Sequence, residues 1–141
     1  KQEYSCIIRK AGKTNTLHVQ NINTSEKYLA GRYDIEVLCL PRLILTNVEI
    51  ISNGTNTLPI PPPGVSNIHL PSKGFGGVFV HRVDTLEQIY YFAGEKTQHR
   101  LTLLPGKYTV VFRAKSAKQY VYTREQEFKV RSSKSELIKL Y

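Results

Sequence analysis

Seven basic side chains crowd one short stretch of this chain: Arg113, Lys115, Lys118, Arg124, Lys129, Arg131 and Lys134, with Tyr120 and Tyr122 between them. Cations interleaved with aromatic rings can grip a polyanion, the charges meeting sulfate, phosphate or carboxylate while the rings stack on flat faces. Strand alternation puts Arg113 and Lys115 on one face, and Lys129 and Arg131 on one face. If the two pairs lie on neighbouring strands they form one positive patch, with Tyr120 or Tyr122 as its stacking surface. The competing reading is a sheet edge that uses lysine and arginine to repel other strands.

The remaining reactive residue types are dispersed. His18, His69, His81 and His99 fall in no metal-binding motif, and Cys6 and Cys39 form no CxxC pair. Zinc needs clustered ligands, so no metal is expected. Both cysteines sit in apolar alternation, which suits buried thiols, with one disulfide or a reactive nucleophile as the alternatives. Asp34 with Glu36, and Glu125 with Glu127, are pairs two residues apart on a strand face. Paired carboxylates can cleave glycosides, but on a solvent-facing strand they read as solubilising charge. Gly74-Phe75-Gly76-Gly77 precedes a strand rather than opening a helix, which argues against a phosphate cradle. No Gly-x-Ser-x-Gly elbow occurs. These readings exclude an assembled catalytic group.

The elements that must position these residues are strands. Tyr33, Ile35, Val37 and Cys39 alternate with Arg32, Asp34 and Glu36; Tyr108, Val110, Phe112 and Ala114 alternate with Lys107, Thr109 and Arg113. A period of two with Val, Ile, Thr, Tyr and Phe marks half-buried strands. Strands are expected near 4–9, 15–20, 45–51, 56–61, 77–82, 87–92, 98–103, 107–114, 119–123, 126–131 and 136–140, besides the one after Gly31. Polar or glycine turns separate them. Many short strands of this kind predict an all-β sandwich. Residues 59–77 carry five prolines and four glycines. Proline cannot donate to a ladder, so Pro59 to Pro63 is expected to be extended and unpaired, with the lobe junction at Pro61–Gly64.

The net charge is +9, and most of the excess lies beyond residue 70. No apolar run approaches the roughly 18 residues that a membrane span requires. No secretory leader is visible, and a start on Lys1 suggests a piece of a longer protein.

The chain repeats itself. Leu29-Ala30-Gly31-Arg32-Tyr33 answers Leu104-Pro105-Gly106-Lys107-Tyr108. Downstream, residues 47–50 match 127–130 and 57–60 match 137–140; upstream, 4–9 match 65–70. Two copies of one unit are therefore expected, residues 1–63 and 64–141. Gly31 and Gly106 should each hold a positive φ in the turn, and Tyr33 and Tyr108 should start a strand with the ring inward.

The turn-and-strand signature Leu-x-Pro-Gly-x-Tyr-x-Val, here residues 103–110 with Ala30 replacing proline in the first copy, resembles carboxypeptidase-regulatory-like and PEGA-type modules. The serial order of "GRYDIEVLCLPRLILTNVEI", "IPPPGVSNI", "LLPGKYTVVFRAK" and "FKVRSSKSELIKL" is similar to the region after a von Willebrand factor A domain in bacterial envelope proteins. The Asp-x-Ser-x-Ser string of the A domain's metal site does not occur here, so that site is not carried over. The resemblance implies two tandem prealbumin-like (immunoglobulin-like) antiparallel β-sandwich units. It implies a non-catalytic module in the periplasm or at the cell surface, accompanying an A domain on the same chain. Such a module spaces or presents that domain, or binds another envelope protein. The alternative is a binding module for an anionic glycan or other polyanion through the basic second unit. No cofactor, nucleic-acid partner or membrane insertion by this segment is expected.

Overall fold

The computed structural model describes residues 4–115 and 123–141. The chain divides into two compact units, Lys1–Ile60 and Pro61–Tyr141. Both are all-β, and no helix forms among the described residues. In consequence no helix there is long and apolar enough to cross a membrane.

Unit 1 holds one sheet: β1 (Ser5–Lys10), β2 (His18–Asn21), β3 (Gly31–Val37) and β4 (Leu43–Ile50), in the order β2-β1-β3-β4. Every pairing is antiparallel. The register stacks apolar residues in rows: Cys6, Val37 and Leu43 share one, Ile8, Ile35 and Leu45 the next. Ile8, Tyr33, Ile35 and Val37 are buried on that face, while Arg9, Asp34 and Glu36 take the other. The β3–β4 ladder is broken between Tyr33 and Ile35. There Asn47 has a φ of 57° and donates its N–H to Asp34 Oδ1 at 2.9 Å. A short polar side chain tolerates this left-handed geometry, which makes the position a bulge.

Unit 2 holds two sheets and is sandwich-like. One is β10 (Thr123–Val130), β9 (Gly106–Ala114), β6 (Gly74–His81) and β7 (Leu86–Tyr91), in that order. The other is β11 (Ser135–Lys139), β5 (Gly64–His69) and β8 (Gln98–Leu103). Val78, Val80, Tyr108, Val110 and Phe112 of the first sheet and Ile68, Leu101, Leu103 and Ile138 of the second are buried. This is the two-layer solution for sheets with one apolar face each. The glycines of residues 74–77 lie in β6, not in a ligand loop. A Cβ on Gly76, whose φ is 131°, would lie 2.0 Å from the Val111 carbonyl oxygen, so the strand fits its neighbour only without a side chain there.

Four sequence expectations need correction. The first unit shows one sheet, not two layers, among the described residues. No strand forms near 56–61, because Asn53 turns left-handed and the prolines that follow cannot donate. Residues 64–69 form a strand, β5, that the expected strands did not include, although 65–70 matched 4–9; it starts as soon as the prolines end. The upstream and last matched blocks are not equivalent: β1 neighbours β3, whereas β5 lies in the sheet opposite β9, and 57–60 is irregular where 137–139 belongs to β11. The strand expected near 119–123 falls largely outside the described residues, and β10 begins at Thr123.

Candidate functional site

The two glycine–tyrosine motifs build the same device. Gly31 has a φ of 154° and Gly106 a φ of 155°, and each opens an inner strand of its sheet. Such values lie in a region almost closed to residues with a Cβ. Two residues on, Tyr33 donates its hydroxyl to the Leu29 carbonyl at 2.6 Å, and Tyr108 donates to the Leu104 carbonyl at 2.5 Å. Each ring folds back over its own turn, in the manner of the tyrosine corner of immunoglobulin-like sandwiches. The following hairpin repeats too: Gly31 faces Ile50 and Tyr33 faces Val48, as Gly106 faces Val130 and Tyr108 faces Phe128.

The surroundings differ. Tyr108 stacks on Phe128 at 5.6 Å, and Leu104 is 9% exposed. Tyr33 meets Tyr28 at 5.6 Å, but Leu29 is 78% exposed. An open groove of about 300 Å³ lies beside Tyr33, lined among others by Lys10, Leu17, His18, Glu26 and Tyr28. Lys10 Nζ sits 5.9 Å from the centre of the Tyr33 ring.

The basic set is not one patch. Arg113 pairs across the ladder with Thr123, at one end of β9; Lys129 pairs with Lys107 at the other end. Six residues of strand put these ends about 20 Å apart. Glu127 lies between, 3.3 Å from Lys107. Lys115 binds Glu95 at 2.6 Å, and Arg131 binds Glu136 at 3.4 Å. Lysine beside it holds the Glu95 carboxyl below the usual range. Tyr120, Tyr122 and Lys118 lie outside the described residues. Arg124 is exposed and donates to the Leu140 carbonyl at 2.8 Å.

The other candidates take structural posts. Asp34 accepts the N–H of Asn47 and, at 3.0 Å, that of Gly12, and these two bonds hold its pKa down. Glu36 is held down by Arg42, at 2.5 Å, and by Arg9, at 3.1 Å. His18 pairs with Glu26 at 2.9 Å, and His81 with the Thr109 hydroxyl at 2.6 Å. Cys6 and Cys39 are free thiols whose pKa values burial pushes up, the opposite of what a nucleophile needs. No group of three or more potential metal ligands exists among the described residues.

One of the four dispersed histidines corrects the expectation of a surface or rim position, because it is buried. His99 on β8 is 5% exposed, with Nδ1 3.0 Å from the Tyr90 hydroxyl and Nε2 3.3 Å from the Lys96 carbonyl. Phe92 lies 4.6 Å from its ring. Tyr90 belongs to β7, so the imidazole ties the two sheets together along one side. Burial lowers its pKa. Its alternation with Leu101 and Leu103 on β8 was the one available signal that it points inward.

The chain matches no family model, no curated protein and no solved structure.

Proposed function

We propose that this chain is a non-catalytic, extracytoplasmic module that accompanies a von Willebrand factor A domain and spaces or presents it, or docks it to another envelope protein. The observation that carries this reading is the doubled corner. In each unit an inner strand is pinned to its own turn by a tyrosine hydroxyl, which stiffens a small β unit without creating a reactive cleft. The commitment of Asp34, Glu36, His81 and His99 to fixed structural partners supports a scaffold rather than an enzyme. The shared hairpin register after Gly31 and Gly106 supports descent of both units from one prealbumin-like module, with the second layer developed in unit 2. The serial order of the sequence blocks supports the place beside an A domain.

Reading the gene on both sides of the codons for this chain tests the proposal. An adjoining A domain with its Asp-x-Ser-x-Ser string is the expected result. A neighbouring catalytic domain with no A domain present would overturn it.

A further inference from the structure

The first and last strands of unit 2 lie side by side. β5 and β11 are parallel, in register from Val65 with Ser135 to His69 with Lys139. The Val65 N–H donates to the Lys134 carbonyl at 2.8 Å, and the Leu140 N–H donates to the His69 carbonyl at 3.0 Å. At the entry, the Ser133 N–H also donates to the Pro63 carbonyl at 2.8 Å. The chain therefore enters unit 2 at one end of this ladder and leaves it at the other.

That geometry fixes how tension acts. A pull on the flanking chain draws β5 back towards residue 63 and β11 forward towards residue 141. The strands are asked to slide past each other along their common axis. The ladder bonds run across that axis, so they are strained together rather than in turn. Side chains oppose the slide as well: Ile68 and Ile138 are buried between the sheets. Gly64 nests so closely that a Cβ there would lie 2.3 Å from the Arg131 carbonyl oxygen. An edge hairpin behaves differently. Among the described residues β7 is bonded on one side only, to β6, and a pull between Lys73 and Glu95, at the open end of that hairpin, parts its bonds one after another.

We infer that unit 2 is a tension-resisting link, with the parallel β5–β11 pair as its shear clamp. The biological use of this property rests on the spacer role proposed above; the property itself does not.

The test pulls the same folded chain in two directions in optical tweezers. Handles are attached to cysteines in the full chain with Cys6→Ser and Cys39→Ser, substitutions that lie in unit 1 and outside the path of the force. One molecule carries Pro61→Cys and Tyr141→Cys, the other Lys73→Cys and Glu95→Cys; these four positions are solvent-exposed. The first lengthening event should require at least twice the force when unit 2 is pulled at residues 61 and 141. Equal force in the two directions, or less at 61 and 141, overturns the clamp. An A domain missing from the gene would remove the spacer role and leave this measurement standing, so the two ideas fail separately.

Discussion

The corner at Tyr33 and the corner at Tyr108 share a turn, a hydroxyl bond and a hairpin register, yet one is open and the other sealed. In unit 2, which has a second sheet, the leucine that precedes the turn is buried; in unit 1 the matching leucine faces solvent. The motif thus sets the path of the backbone, and the layer above it decides how much apolar area that path buries. Local sequence can be duplicated without duplicating the core built on it.

The leucines give the largest expected contrast. Leu104→Ala should cost about 2–5 kcal/mol, the usual penalty for emptying a core position. Leu29→Ala should stay within about 0.5 kcal/mol. Denaturation followed by hydrogen exchange reads the units separately, and comparable losses at both positions would break the distinction between sealed and open corners.

The glycines should instead behave alike. A Cβ on Gly31 meets no atom within 4 Å, and one on Gly106 meets only a Tyr108 ring carbon at 3.8 Å. Only backbone strain remains, so alanine at either position should cost about 1–3 kcal/mol. A large cost at one and none at the other would show that the two turns are not the same device.

Removing the hydroxyls sharpens the comparison further. Tyr108→Phe strands a buried carbonyl at Leu104 and should cost about 1–3 kcal/mol; Tyr33→Phe leaves a carbonyl that water can reach and should cost about 0.5–1.5 kcal/mol. Thermal melts of the paired variants resolve the order, and a reversed order would contradict the burial argument.

Acid should separate the units by where their losses begin. His99 has a folded pKa below its ordinary 6.5, so the unfolded chain takes up the proton first. Unit 2 therefore keeps this contribution above about pH 6.5 and loses it as pH falls from there through the depressed folded value. Asp34 in unit 1 has a folded pKa below 3.8; its contribution persists above about pH 3.8 and disappears as pH falls through the folded value. Hydrogen exchange across this range should show unit 2 weakening first, and His99→Gln should abolish that early step. An early step that survives in the variant would assign it to another group.

Much of the strand content was legible because half-buried strands write their alternation directly into the sequence. Tyr33 to Val37 and Tyr108 to Phe112 each put every second residue into the core. The equivalence of Ile50 with Val130 was legible too, since a hairpin of fixed register carries its pattern along the chain. β5 showed only in the match of 65–70 with 4–9, because prolines before it and glycines after it speak for loops, while its pairing with β8 and β11 depends on residues far away. The single layer of unit 1 was equally invisible: an apolar face looks the same in sequence whatever covers it. The supposed basic patch failed for a geometric reason. In an antiparallel hairpin, residues far from the turn on one strand meet residues far from it on the other. Lys129, near the far end of β10, therefore meets Lys107 and not Arg113.

The bulge at Asn47 has a consequence for keeping the molecule apart from its neighbours. β4 is an outer strand of its sheet, and Ile44 on it is 63% exposed. An outer strand with an exposed apolar residue invites a strand from another molecule to add on and begin a fibre. Asn47 interrupts the rim halfway along, twisting the backbone out of register and committing its N–H to Asp34. An incoming strand finds two short stretches rather than one continuous template. At high local concentration, that interruption would favour separate molecules over cross-β stacks.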